Sequence, residues 1–323
     1  MSDSRLTDPP ASEHLIETPG GHHRRPHALL RPATAIPFLL VGLIWGSTWF
    51  VIADQISLVA PSWSVTYRFG IATIAMALLA WRMEGSLKMG GSGHLMALVL
   101  GITQFCGNFN FVYRAEAHIT SGVVAVMFGL LMVPNAMLGR IFLGVKVSGR
   151  FILGTLVAIA GVALLLAHEA RLMPAGSSLL LGAALTFGGI MSASSANILQ
   201  ATRTAQAQKL LVLLAWAMGY GTLVDAGIAL WVSGAPVFPA EPRFWAGVVY
   251  LALVGSVVTF PLYFKLIREL GPGRAAYNGV MVPVVAMLIS TFFEGYAWSP
   301  LALGGVVLAL IGMVIVLRGR EVD

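Results

Sequence analysis

The side chains able to do chemistry in this sequence are neutral amides, hydroxyls and indoles set into long apolar runs. Their spacing groups them into stripes. Gln104 and Asn108 stand one helical turn apart, and Phe111 continues the same face. Gly188, Ser192 and Ser195 repeat this spacing, with Asn197 and Gln200 beyond them, and Ser256, Thr259 and Tyr263 repeat it again. Trp45, Thr48 and Trp49, then Asn135, Tyr277 and Asn278, complete the set. Hydrogen-bonding groups beside aromatic rings suit a small polar or zwitterionic solute better than a bare inorganic ion. The same residue types also join membrane helices to one another. Both readings stand for each residue, and the two amides Gln104 and Asn108 favour a cavity.

Charged groups inside apolar runs are few. Arg68 is expected to be a structural charge, snorkelling outward or pairing with Asp54 or Glu294. Asp225 lies within an apolar run, where it is either a proton-coupling group or a protonated, packed carboxyl. Glu294 falls at the end of a run and reads as a hydrated structural charge. Pro134 and Pro283 each remove a backbone hydrogen bond within a run, making a hinge or a static kink. His-Glu-x-x-His, Walker A, Gly-x-Ser-x-Gly and paired-cysteine patterns are all missing, so no enzyme activity, cofactor or metal site is expected. The single cysteine, Cys106, rules out an internal disulfide.

These residues need elements to hold them, and composition says which. Apolar residues make up 57% of the 323 and charged residues 11%, too few charges to cover a soluble domain of this size. The expected fold is an all-α polytopic membrane protein. About 20 apolar residues cross a bilayer. Breaks at Pro, Gly and charge clusters predict ten transmembrane helices, at 36–53, 64–83, 94–113, 119–139, 150–168, 177–198, 209–231, 243–264, 273–293 and 299–317. Residues 1–33 are polar and proline-rich and read as a disordered cytoplasmic tail without a signal peptide. Its His22-His23-Arg24-Arg25 run reads as a solvated basic segment rather than a metal site.

With both termini inside, sixteen of the twenty Lys and Arg fall in cytoplasmic segments. Arg114, Arg171 and Arg243 fall outside, and Arg68 lies within the second span. A miscounted helix would exchange the sides of every later loop and erase that asymmetry. The net charge of +6 therefore orients helices and does not point to nucleic acid.

The chain also divides into related halves, 34–168 and 177–318. Pro134 and Pro283 sit alike in helices four and nine, each followed eleven residues later by a helix exit, at Val145 and Glu294. Helices five and ten carry glycines seven apart, Gly154 with Gly161 and Gly305 with Gly312. Helices one and six pair an aromatic with small residues, Trp45-Gly46-Ser47 and Phe187-Gly188-Gly189. Five helices per half is an odd number, so the second half runs inverted through the membrane. Inverted repeats are the architecture of alternating-access carriers, with the solute site at the midplane.

Several segments resemble the EamA-like branch of the drug/metabolite transporter superfamily. They are Trp45-Gly46-Ser47-Thr48-Trp49-Phe50, Tyr67-Arg68-Phe69, Ser121-Gly122-Val123-Val124-Ala125 and Gly139-Arg140-Ile141-Phe142-Leu143-Gly144. Arg274-Ala275-Ala276-Tyr277, Phe292-Phe293-Glu294-Gly295 and the glycine-rich last helix complete the likeness, over roughly residues 35–318. It implies a ten-helix carrier with a central cavity between its halves, mostly exporting metabolites such as amino acids, nucleosides or related compounds. One departure is Val145-Lys146, where family members often carry Glu, so no mechanism here uses that glutamate.

The expected function is a secondary-active or facilitative transporter of the inner membrane that exports small metabolites by alternating access. The partners expected are a small-molecule solute and the lipid bilayer, with no nucleic acid and no oligomeric state indicated. An importer of the same fold and a non-transporting scaffold or sensor are the rival readings.

Overall fold

In a bilayer no water is present to satisfy backbone N–H and C=O groups, so a spanning chain must bond to itself. The computed structural model describes residues 32–144, 148–172, 178–275 and 278–318, and these are helical nearly throughout, with no strand among them. Eight helices are long and apolar enough to span. They are α1 (Pro32–Ile56), α2 (Pro61–Glu84), α3 (Gly91–Ala115), α4 (Ser121–Leu143), α5 (Gly149–Leu172), α6 (Leu179–Ala201), α7 (Leu210–Ser233) and α8 (Pro242–Pro272). Two shorter apolar helices follow, α9 (Asn278–Phe293) and α10 (Pro300–Arg318). Ten segments thus stand where ten were expected. The tail with its histidine run, and the exit residue Val145, lie outside the described residues.

Connections are short and the outward faces are apolar. Leu78, Leu180, Leu223, Leu230 and Phe292 are all exposed, which is unfavourable in water and favourable against lipid chains. Inside, Phe69, Phe105, Phe109 and Phe260 pack ring to ring, with centroids 4.8–6.2 Å apart.

Two of the main helix pairings join an element to its counterpart five places on: α2 packs on α7 and α5 on α10. A twofold arrangement of the halves brings equivalent helices together in this way. The glycines of α5 and α10 are the reason that pair can close. A Cβ added at Gly154 would stand 2.5 Å from the Val316 backbone nitrogen, and one at Gly312 would overlap the backbone of Ala158. These contacts lie backbone to backbone, which is how small residues hold membrane helices together. A second crossing, α4 on α9, is made at Gly129 and Gly279, each a few residues before the proline of its helix.

Two helices depart from α geometry at equivalent places. Gly101–Asn108 in α3 and Leu253–Val258 in α8 are wound as π-helix. These are the third helices of the two halves. The wider winding carries an extra residue per turn, shifts the phase of everything beyond it, and recurs at functional sites. In α4, Gly129–Leu131 is wound as 3-10 helix just ahead of Pro134, whose ring crowds the carbonyl of Leu130 and whose nitrogen has no proton to give it.

Candidate functional site

The helices enclose a central cavity of about 840 Å³, counting its open mouth. Helices α1, α2, α3 and α4 of the first half and α6, α8 and α9 of the second contribute to its wall. The wall is mostly apolar, with Ile52, Phe109, Val112, Phe128, Phe260 and Val282, and a few polar groups reach through it.

Trp45 is fixed by both its ends. Its indole N–H donates to Thr259 Oγ1 at 2.9 Å, and its ring meets those of Tyr263 and Phe260 at 4.8 and 5.5 Å. Trp49 packs on Phe128 at 5.2 Å, while its buried indole N–H has no partner among the described residues. Thr48 donates to the Trp45 carbonyl in the preceding turn. The π segment of α3 presents Gln104 and Asn108 to the cavity, and Asn108 Oδ1 is buried without a hydrogen bond. On α6, Asn197 Nδ2 reaches the Tyr263 hydroxyl and Asn135 Oδ1, each at 3.4 Å. Asn278 lines the opposite wall and ties α9 to α1 through the Phe38 carbonyl at 2.7 Å.

The expected site residues therefore divide. Trp45, Thr48, Trp49, Gln104, Asn108, Tyr263 and Asn278 line the cavity, as does Pro283. Asn135 and Thr259 stand behind it and orient Asn197 and Trp45. Ser192 and Ser195 do not reach it. Ser192 donates to the Thr103 carbonyl at 2.7 Å, seating α6 against the π turn of α3, and Ser195 bonds within its own helix. The stripe of Gly188, Ser192 and Ser195 is a packing face, and the cavity receives Ala193 and Asn197 instead. Phe111 also turns away and lies 39% exposed against Gly188, because the π winding rotates every later residue of α3. Tyr277 lies outside the described residues.

Among the charged residues, Arg68 departs most from the expectation. Asp54 pairs with Arg243 at 3.3 Å, and Glu294 receives the Ser121 hydroxyl, whose oxygen is 2.7 Å from each carboxylate oxygen. Neither is paired with Arg68, so the expected ion pair does not form. Arg68 points inward and lines the cavity at 1% exposure, which also excludes snorkelling. Asp225 is buried between α7 and α3, where its Oδ1 accepts a 2.6 Å bond from Asn110, and it is not part of the cavity wall. Pro134 stands outside the wall, beside the 3-10 turn. Among the cavity residues outside the expected site are Arg68, expected only as a structural charge, and the aromatic rings Phe109, Phe128 and Phe260, while Asn197, set beyond the α6 stripe, reaches the cavity as well.

The EamA-like transporter family model matches this chain twice, over residues 33–167 and 175–318. Protein PagO of Salmonella typhimurium is 22% identical over 294 residues, covering 89% of this chain and 93% of that protein. The uncharacterized inner membrane transporter YedA of Escherichia coli K12 is 26% identical, covering 83% and 86%. A probable terminal-alkyne amino-acid exporter of Streptantibioticus cattleyicolor is 24% identical, covering 78% and 82%. One protein of known crystal structure superposes with a TM-score of 0.66 at 18% identity, over 90% of this chain and 99% of that one, a likeness of fold. A double match that takes in both five-helix halves, on a bundle with an apolar exterior and a cavity at its centre, makes this chain a membrane transporter belonging to the EamA-like transporter family.

Proposed function

We propose that the protein is a secondary-active or facilitative carrier that exports small polar metabolites, such as amino acids or related compounds, from the cytoplasm. Both termini lie on the cytoplasmic side of the inner membrane in this reading, because the Lys and Arg residues gather on that side. The observation that carries it is the central cavity, where aromatic walls and unpartnered polar groups from both halves face the same space. A wall shared between two repeats changes access whenever one rocks against the other. The amino-acid exporter among the relatives supports the solute class.

Untargeted mass spectrometry of the medium tests this directly, comparing cells that overproduce the protein with cells carrying Gln104→Ala and Asn108→Ala together. A metabolite accumulating outside only with the intact protein is the expected result. Equal media from the two strains, with both proteins present in the membrane, would remove the cavity as an export site.

A further inference from the structure

We propose that Arg68 is the carboxylate anchor of the transported solute, so that the carrier requires an acid group and rejects the corresponding amide. This rests on the central cavity being the solute site.

Arg68 is almost completely buried, and all its recorded partners are neutral. Its Nε donates to Ser256 Oγ at 3.2 Å. Its two terminal nitrogens each make one long bond of 3.4 Å, to the Tyr113 hydroxyl and to the Gly255 carbonyl. The guanidinium lies over the Phe109 ring at 4.4 Å. Each terminal nitrogen carries two N–H groups and spends one, so each keeps a free donor on a residue that lines the cavity. Among the described residues no carboxylate lies within ion-pairing distance. Asp54 is held by Arg243, Glu294 by Ser121 and Asp225 by Asn110, while Glu116 feels the Arg68 charge from beyond that distance and makes no hydrogen bond.

A buried cation without a directly paired carboxylate is costly, and in membrane proteins such a residue marks a functional site. The planar fork of donors matches a carboxylate in two parallel bonds, which an ammonium or a neutral amide cannot provide. The surroundings hold the fork in place. The π winding of α8 presents the Gly255 carbonyl and Ser256 hydroxyl together, and Phe109 supports its face. Elsewhere in the cavity, Asn108 Oδ1 is an unpartnered acceptor suited to an ammonium, and the Trp49 indole is a second unpartnered donor. A zwitterion with an apolar side chain brings a carboxylate for the two donors and an ammonium for the acceptor, into a wall that is otherwise apolar.

The test is counterflow into proteoliposomes of the full-length protein, with labelled L-norvaline, L-leucine and L-phenylalanine exchanged against each free acid or its primary amide. Wild-type protein should exchange the acids at least about tenfold better than the amides. Arg68→Gln should lose at least about tenfold in acid exchange, and Arg68→Lys, which keeps the charge without the fork, should fall between. Thermal midpoints of the three proteins separate folding defects from recognition. The acid-to-amide ratio is the deciding quantity, since a merely structural arginine would lower total flux and leave the ratio alone. Amides exchanged as well as acids, or Arg68→Gln exchanging acids at the wild-type rate, overturns the anchor while leaving the carrier standing. Failure to move any of these solutes, or any component of a cell extract, removes the anchor and the cavity reading together.

Discussion

Glu116 sits one residue past the end of α3, with both carboxylate oxygens buried and without a hydrogen bond among the described residues. Burial first, and then the negative charge of Glu294, hold its carboxyl well above the usual carboxylate range, while the Arg68 charge acts the other way. The folded protein thus binds this proton more tightly than the unfolded chain does. The resulting penalty is absent below the ordinary glutamate value of about 4.3 and grows as pH rises through the folded value. Replacing the carboxylate by an amide removes the penalty, so Glu116→Gln should gain thermal midpoint over wild type as pH is raised and match it near pH 4. Parallel midpoint curves for the two proteins between about pH 4 and 9 would disprove this account. At this scale the sequence was legible in kind and not in direction. Trp45, Gln104, Asn108 and Tyr263 line the cavity as their helical spacing indicated. Arg68 could not be placed that way, because its partner Ser256 is 188 residues distant and nothing local shows which side of α2 meets α8.

Helices α5 and α10 lie close because four glycines leave room for backbone against backbone. The seven-residue glycine spacing was visible in the sequence, and the structure assigns it to packing between the last helices of the two halves. Adding one methyl group at such a contact forces backbone shifts, which cost about 1–3 kcal/mol. Gly312→Ala, whose Cβ would meet the backbone of Ala158, should lower the thermal midpoint of the purified protein by several degrees. Gly304 lies on the same helix with no atom within 4 Å of an added Cβ, so Gly304→Ala should leave the midpoint unchanged or raise it slightly. Equal effects from the two substitutions would mean that helix propensity, and not the α5–α10 approach, governs this region. The π segments were illegible by contrast. A uniform period of 3.6 places Phe111 on the face of Gln104 and Asn108, and one extra residue of winding at Gly101–Asn108 is enough to turn it away from the cavity. No residue type marks such a segment in advance. Its cause is tertiary, with Ser192 drawing on the Thr103 carbonyl and Gly107 leaving space for that serine.

Across the whole molecule, the two halves are also joined by a set of polar contacts at each end of the bundle. At one end Ser121 of α4 holds Glu294 beyond α9, and Asp54 of α1 holds Arg243 of α8. At the other end Lys209, just before α7, pairs with Glu84 at the end of α2 at 3.2 Å, and the Trp216 indole of α7 donates to the Leu87 carbonyl at 2.9 Å. A carrier that exposes its cavity to each side in turn must break the first set while keeping the second, then reverse. The exposed pair Asp54–Arg243 contributes little, as surface ion pairs do. The Ser121–Glu294 contact is the better point to constrain, because it bridges the repeats beside the α4–α9 crossing. With Cys106 replaced by Ala, Ser121→Cys and Glu294→Cys joined by a short bifunctional thiol reagent should stop counterflow almost completely. Cleaving the link with a reductant should restore the flux, and each single cysteine treated in the same way should transport normally. If mass spectrometry shows complete cross-linking and the solute still exchanges freely, this end of the bundle does not open during transport. Access to the cavity would then have to come from a motion other than rocking of the two repeats.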